Sequence, residues 1–257
     1  MRMATWNVNS IRARIDRVKE WISYAGPDII CLQETKVKDE DFPYGDFEAL
    51  GYFGCHFGVS QWNGVAVLSK MQADSIQVGF SSKWQGQEAR MVAATFGELW
   101  VASVYVPNGR SLDDPHYQFK LSWLEELRAE VSHQRAMGRS VIVAGDFNVA
   151  PTDLDVWDPR TFLGATHVSE PEREAIRSLE SLGMIDIFRK LYPTQRIYTW
   201  WDFRQGAFHK GQGLRIDLVF ADTELAERAS WGIVDREARK ATEFKPSDHA
   251  PVIIDFS

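Results

Sequence analysis

The sequence is short of the features that mark secreted and membrane proteins. It carries two cysteines in 257 residues, Cys31 and Cys55, too few for a disulfide framework. Cys31 falls inside the apolar run Ile29–Leu32 and reads as a core thiol, which points to a reducing, cytoplasmic compartment. No apolar run approaches the length of a membrane span. Met1–Asn9 lacks the apolar segment that would make it a secretory signal. No Pro/Gly/Ser-rich linker or low-complexity tract divides the chain, so 1–257 is read as one domain. An excess of basic charge is also missing, since the formal net charge is −7. That balance argues weakly against a nucleic-acid partner, because a local basic stripe can act whatever the net charge. Arg12, Arg14, Arg17 and Lys19 form one basic group, read as a solvated helix face for Arg17 and Lys19 in particular. Arg196, Arg204, His209, Lys210 and Arg215 form another, interleaved with aromatics and harder to assign to solvent alone.

What is present begins as strand–helix–strand. Met1–Val8 reads as a strand ending in Asn7. Ser10 is a good N-cap, Ile11, Ile15, Val18 and Ile22 recur at helical spacing, and Gly26-Pro27 stops the helix. Asp28–Gln33 is a second buried strand, ending at Glu34. Phe42–Gly58 reads as loop and Gly64–Ser69 as a third strand. Ala89–Phe96 and Leu99–Val106 flank Gly97-Glu98 as a tight hairpin, which brings antiparallel pairing into the sheet. Pro115–Met137 is the longest helix, followed by the apolar strand Ser140–Gly145. After the irregular stretch Thr152–His167, Ser169-Glu170-Pro171-Glu172 is a capping box that opens a helix stopped by Gly183. Tyr198–Trp201 and Leu214–Phe220 read as strands around a Gly-rich loop, and Trp231–Asp235 and Val252–Phe256 close the sheet. TWNVNS and GDFNVAP echo each other, which fits two similar α/β halves packed sheet to sheet.

Several strand ends carry groups that a core does not want. Asn7 and Glu34 follow the first two strands, Asp146 and Asn148 follow Ser140–Gly145, and Asp248-His249 precedes the last strand. Each acid taken singly is usually a cap, an Asx-turn or a salt bridge. Strand tips are also where α/β sheets place their chemistry, and so many groups at separate tips strain the ordinary explanation. Asp217 lies between apolar neighbours in LRIDLVF, so it is read as buried and in need of a partner, for which a histidine is the usual choice. The set fits a hard-cation phosphodiester site. Mg²⁺ takes oxygen ligands and needs only one or two carboxylates. Glu34 is the first choice of ligand, with Asn7 nearby. Asp146 is the candidate to orient and deprotonate water, and Asn148 to hold the water or the transition-state oxygens. His249, oriented by Asp217, is the candidate to meet phosphate oxygens or that water, and Asp248 has a turn or ligand-orienting role. Tyr105 and Asn108 in YVPNG are candidate phosphate donors beside the ordinary packing role of a strand-end Tyr. Of Trp200 and Trp201, one is expected in the core and one on a pocket wall. His56, His116, His133 and His167 show no metal-ligand spacing and are read as surface or packing residues.

In order, TWNVNS, DIICLQETK, WNGVAVLS, YVPNG, GDFNVAP, WWDF…GLRIDL and SDHAPV make the chain closely resemble the bacterial exonuclease III, or apurinic/apyrimidinic endonuclease, family. That family lies within the endonuclease/exonuclease/phosphatase superfamily. The resemblance implies a four-layer α/β sandwich, two mixed β-sheets packed face to face with helices outside. It implies hydrolysis of the phosphodiester 5′ to abasic sites in duplex DNA, 3′-to-5′ exonuclease and 3′-end-trimming activities, and Mg²⁺ or Mn²⁺. The family's metal positions fall on Asn7, Glu34 and Asp248, with Asp146, Asn148 and His249 beside them. Its catalytic aspartate, paired asparagine and His–Asp pair fall on Asp146, Asn148, His249 and Asp217, and its phosphate contacts on Tyr105 and Asn108. The pocket for the flipped sugar falls on Trp200, Leu214 and Ile216, and Arg110 is a candidate to insert into DNA. Leu214 stands where some relatives carry Trp, a change that bears on pocket shape and not on the metal chemistry. A monomer acting on double-stranded DNA, with no membrane contact, is expected. Two alternatives are a non-catalytic nucleic-acid-binding regulator on the same fold and a phosphodiesterase or phosphatase acting on lipid headgroups or inositol phosphates.

Overall fold

The computed structural model describes residues 1–84, 86, 88–240 and 242–257. In chain order its first strands are β1 (Arg2–Asn7), β2 (Ile29–Gln33), β3 (Phe53–Phe57), β4 (Val65–Ser69), β5 (Ser75–Val78) and β6 (Met91–Phe96). They are followed by β7 (Leu99–Tyr105), β8 (Ser140–Asp146), β9 (Met184–Asp186), β10 (Asp217–Asp222), β11 (Ala229–Val234) and β12 (Val252–Phe256). These make two six-stranded sheets, ordered β11-β12-β1-β2-β4-β3 and β5-β6-β7-β8-β10-β9. Each sheet has one parallel pair at its centre, β1 with β2 and β7 with β8. The other pairings are antiparallel. A parallel pair needs a long crossover. Helix α1 (Ile11–Ala25) supplies it in the first sheet, and α3 (Pro115–Ala136) in the second. The sheets therefore share one pattern of strand directions.

Burial on both sheet faces explains the unbroken apolar runs of the central strands. Met3, Ile29, Cys31 and Val67 meet Val92, Val101, Ile142 and Val219 between the sheets. Ala4, Trp6, Ile30 and Leu32 face outward onto Ile11, Val18, Trp21 and Ile22 of α1. On the opposite side, Trp100, Ala102, Val141 and Val143 pack on Trp123, Leu124, Leu127 and Val131 of α3. The result is four layers, helix–sheet–sheet–helix. Truncating a core side chain such as Leu127 to Ala removes about 2–5 kcal/mol of such packing.

Local signals set the helix ends. Ser10 caps α1, and Gly26 closes it in the left-handed region that favours glycine. Asp114 caps α3 with Pro115 in its first turn. The capping box of Ser169 and Glu172 opens α4 (Glu170–Glu180) as the sequence indicates. Helix α2 (Tyr44–Glu48) and strand β3 lie within Phe42–Gly58, which the sequence reads as loop. Tyr198–Trp201 is not a strand: Trp200 makes isolated bridges to Leu214 and His249. The basic helix face also differs from expectation. Arg17 is buried and donates to the Glu237 and Ala238 carbonyls, at 2.7 and 3.3 Å, so it fastens α1 to the chain before β12.

Candidate active site

The two parallel pairs point their C-terminal ends to the same edge of the sandwich. Asn7 ends β1, Glu34 follows β2, Tyr105 ends β7 and Asp146 ends β8. Asp217 opens β10 in register opposite Asp146, and His249 stands just before β12. The backbone is shaped for this convergence. Glu34 and Asn148 both have φ 51°, a left-handed conformation that non-glycine residues hold only when their surroundings enforce it. A side chain at Gly145 would meet the Val104 carbonyl at 1.9 Å, so β7 and β8 approach closely only with glycine there. Trp6 Nε1 donates to the His249 carbonyl at 3.1 Å and Ser247 Oγ to the Asn7 carbonyl at 2.8 Å, which ties the SDH loop to the end of β1.

Glu34, Asp146 and His249 bring one ligand atom each within 4.8 Å of one another. Asn7 Nδ2 donates to Glu34 Oε1 at 2.8 Å and to Asp146 Oδ2 at 2.9 Å, while Asn7 Oδ1 accepts from the Asn9 amide at 3.0 Å. Asn7 thus ties the two carboxylates together. His249 pairs through Nδ1 with Asp217 Oδ2 at 2.8 Å, and its Nε2 lies 3.9 Å from Asp146 Oδ2. Asn148 donates its backbone N–H to Asp146 Oδ1 at 2.9 Å and its amide to the Val106 carbonyl, also at 2.9 Å. The Asx-turn and the site therefore coexist: the same hydrogen bond that turns the chain fixes the Asp146 carboxylate.

The electrostatics follow from burial and crowding. Burial, with Asp217 and Glu34 nearby, holds the Asp146 carboxyl well above the usual carboxylate range, although His249 pulls it down. Burial alone would lower His249, but Asp217, Asp146 and Asp248 outweigh it and keep the ring protonated at neutral pH. Burial and the adjacent Glu34 push the Tyr105 phenol up, so it stays a donor. Asp248 stays low: burial opposes ionisation, but His249 and hydrogen bonds from Asn9 and Trp200 win. Those bonds, at 2.8 and 3.1 Å, occupy both Asp248 oxygens. Asp217 Oδ1 is buried with no partner among the described residues. Four carboxylates thus meet His249 and Lys36, whose Nζ lies 2.8 Å from Glu34 Oε2. A surplus of oxygen donors and negative charge fits a hard divalent cation.

Comparisons with known proteins identify the family. The Endonuclease/Exonuclease/phosphatase family profile matches residues 4–249. The chain is 34% identical to Exodeoxyribonuclease III of Haemophilus influenzae, with all of both chains covered. It belongs to this family. Among solved structures, an AP endonuclease from Archaeoglobus fulgidus superposes with TM-score 0.95 at 37% identity, covering 100% of this chain and 99% of that one. A 3′ phosphatase from Neisseria bound to a product DNA hairpin superposes with TM-score 0.96 at 33% identity, with the same coverage. The four-layer sandwich of two mixed sheets is the fold that this likeness implies.

Around the acids lies a cleft of about 220 Å³, walled by Tyr105, Asn108, Trp200, Leu214 and Ile216. Trp200 faces this cleft while Trp201 is buried in the core, the division expected from sequence although the segment is not a strand. Arg110 is exposed and lies 3.6 Å from Asp114. Arg215, grouped by sequence with the basic residues interleaved with aromatics, is buried and bonded to Asp155 and Asp186. A larger groove of about 630 Å³, walled by Leu112, Phe162 and Leu163, lies apart from the acids. His167 is the residue that sequence reasoning missed: it lines the cleft, and its Nδ1 lies 2.6 Å from the Asn148 carbonyl. The buried Lys120 also donates to that carbonyl, at 2.7 Å, and to the Asn108 carbonyl at 3.2 Å, while paired with Glu172. The only local signal for His167 was its place beside the capping box.

Proposed function

We propose that this DNA-repair nuclease cuts the phosphodiester 5′ to abasic sites in duplex DNA and trims 3′ ends. The reaction is attack of water with a divalent cation, Mg²⁺ by preference and Mn²⁺ as substitute. The convergence of Glu34, Asp146 and His249 within 4.8 Å carries the reading. A cation held there would neutralise phosphate charge and acidify water. His249, its ring fixed through Nδ1 by Asp217, turns Nε2 toward the acids and meets a non-bridging phosphate oxygen or the attacking water. Glu34 and Asp146 would hold the cation, with Asn7 and Asp248 ordering the surroundings. Asp146, its carboxylate fixed by Asn7 and by the Asn148 N–H, orients the water and accepts its proton. Asn148, Tyr105 and Asn108 stand around the same cleft as donors to phosphate oxygens. Trp200, Leu214 and Ile216 offer an apolar wall to a sugar turned out of the duplex, and Arg110 reaches DNA from the rim.

Relatives described as exodeoxyribonuclease III, AP endonuclease and 3′ phosphatase support this substrate class. Both cysteines are free and buried, which fits a reducing, cytoplasmic setting. The test pairs an abasic duplex and a 3′-phosphate duplex with a phosphoinositide, each in Mg²⁺ and in EDTA. Both DNAs should be processed only with Mg²⁺, and the lipid left intact. Nicking that survives EDTA sinks the cation mechanism, inert DNA favours the binding-regulator alternative, and phosphoinositide turnover favours the lipid phosphatase.

A further inference from the structure

Thr35, His56 and Asp39 form a chain of contacts behind the Glu34 loop, and none of them lines the cleft. Thr35 Oγ1 lies 2.8 Å from His56 Nε2, and His56 Nδ1 lies 2.8 Å from Asp39 Oδ1. Asp39 Oδ1 also accepts the Gly58 N–H at 2.7 Å, so the carboxylate is itself fixed. The His56 ring stacks on Phe42 with centroids 4.3 Å apart. We propose that this chain positions Glu34 and thereby sets the affinity of the site for its divalent cation. The proposal rests on Glu34 being a cation ligand.

Glu34 and Lys36, on either side of Thr35, both have left-handed backbones, with φ 51° and 57°. Such a loop keeps its shape only where several partners hold it. The backbone gives some of them: Thr35 N donates to the Gly64 carbonyl at 3.1 Å and Lys36 N to the Asn63 carbonyl at 2.8 Å. The loop also receives the start of α1, since Ser10 N donates to the Glu34 carbonyl at 2.7 Å and Ile11 N to the Thr35 carbonyl at 2.9 Å. Thr35 is fully buried and is the side chain through which the loop reaches His56. Burial holds His56 down to about 4, although Asp39 works the other way, so the ring is neutral. Its Nδ1–H then donates to Asp39 and its Nε2 accepts the Thr35 hydroxyl proton, which gives each hydrogen one place. Two glycines make the room. A Cβ at Gly64 would lie 2.2 Å from Thr35 Oγ1, and one at Gly58 would lie 2.4 Å from His56 Cε1. Four segments thus accommodate one hydroxyl–imidazole–carboxylate chain. Removing the outer partners of a metal ligand commonly weakens its site about 10–100-fold, and this chain acts on Glu34 through the loop backbone, since the carboxylate itself is bonded by Asn7 and Lys36.

The test titrates the cation-free protein with MnCl₂ alone by calorimetry and reads its thermal midpoint in parallel. Thr35→Val keeps the volume and removes the hydroxyl, and His56→Gln removes the ring. Each should weaken Mn²⁺ binding about 10–100-fold, while Thr35→Ser, which retains the hydroxyl, binds as the unmodified protein does. In turnover, the Mg²⁺ concentration for half-maximal rate should rise while kcat at saturating Mg²⁺ recovers. Mn²⁺ affinity within twofold of the unmodified protein in Thr35→Val and His56→Gln overturns the proposal, as does a Thr35→Ser loss equal to that of Thr35→Val. If Thr35→Val does not fold, His56→Gln and Thr35→Ser decide. Glu34→Gln is the arm that separates the two claims: it should abolish Mn²⁺ binding. Normal binding there refutes Glu34 as ligand, whereas loss there with intact binding in the other variants refutes the positioning role alone.

Discussion

Arg215 and Asp217 sit two places apart in one buried stretch, yet they belong to opposite electrostatic regimes. Arg215 donates to Asp155 Oδ1 at 2.7 Å and to Asp186 Oδ2 at 2.8 Å, and Arg189 pairs with the same Asp155 oxygen. Two arginines face two aspartates, so the charges balance within the protein, although Arg189 Nε is buried without a partner among the described residues. Asp217 belongs to the other cluster, where, among the described residues, Glu34, Asp146 and Asp217 pair directly with His249 and Lys36 alone, and Arg14, Arg239 and Lys120 act on Glu34, Asp146 and Asp248 only from farther off. A closed network joins loops, while an unbalanced one is a place prepared for a charge that arrives. The two should therefore fail differently when broken.

The largest effect belongs to the unbalanced side. Asp146→Asn and His249→Ala should each lower cleavage of abasic duplex by about 10²–10⁴-fold. Without cation, the thermal midpoint of Asp146→Asn should hold or rise, because a buried carboxylate crowded by Asp217 and Glu34 has been neutralised. A large loss of midpoint in Asp146→Asn would mean that the acid cluster holds the fold together, and the contrast would collapse.

Arg215→Met breaks the closed side. Removing one member leaves Asp155 and Asp186 short of their partner, and such a loss costs about 3–5 kcal/mol. Urea unfolding should show that loss, with kcat on abasic duplex close to unmodified at temperatures where the variant stays folded. Unchanged unfolding would show that Arg189 alone satisfies Asp155.

Cation addition sharpens the same contrast with a smaller effect. A ligand that binds only the native state adds about 2.7 kcal/mol at 100 times its dissociation constant. Mg²⁺ should raise the unfolding midpoint of the unmodified protein and of Arg215→Met alike, and should leave Glu34→Gln where it was. An equal Mg²⁺ shift in Glu34→Gln would place the bound cation elsewhere.

What was legible in the sequence follows the same division. Central strands such as Val141–Ala144 are buried on both faces, so their apolar runs announce them. Acids at the tips of those strands stand out because nothing apolar excuses them, which is why Glu34, Asp146 and His249 could be singled out. Edge strands leave no such mark. The residues Ser75–Val78 of β5 are largely exposed, and β9 has three residues. The TWNVNS–GDFNVAP echo pairs β1 with β8, yet the shared strand-direction pattern matches β1 to β7 and β2 to β8. His56 and His167 were passed over because their roles depend on partners distant in the chain: Thr35 and Asp39 for one, Lys120 and the Asn148 carbonyl for the other.

The contrast also divides the histidines, through pH. His249 sits among carboxylates that hold its ring charged. Burial lowers His56 to about 4, and burial with the nearby Lys120 cation does the same for His167. A folded pKa below the unfolded 6.5 means that the unfolded chain takes up protons first. The stability from His56 and His167 is therefore whole above about 6.5 and drains as pH falls toward 4. His249 has the opposite sign: its contribution is whole below about 6.5 and is lost as pH rises toward its elevated folded value. Between pH 7.0 and 5.5, each low-pKa histidine should withdraw about 1 kcal/mol. Urea midpoints in cation-free buffer should then drop less on acidification in His56→Gln and in His167→Gln than in the unmodified protein. In His249→Gln, which removes a group that favours the acid side, the drop should be larger. Identical acid sensitivity in all four proteins would show that the imidazoles titrate alike, and that the charge imbalance at the cleft does not reach His249.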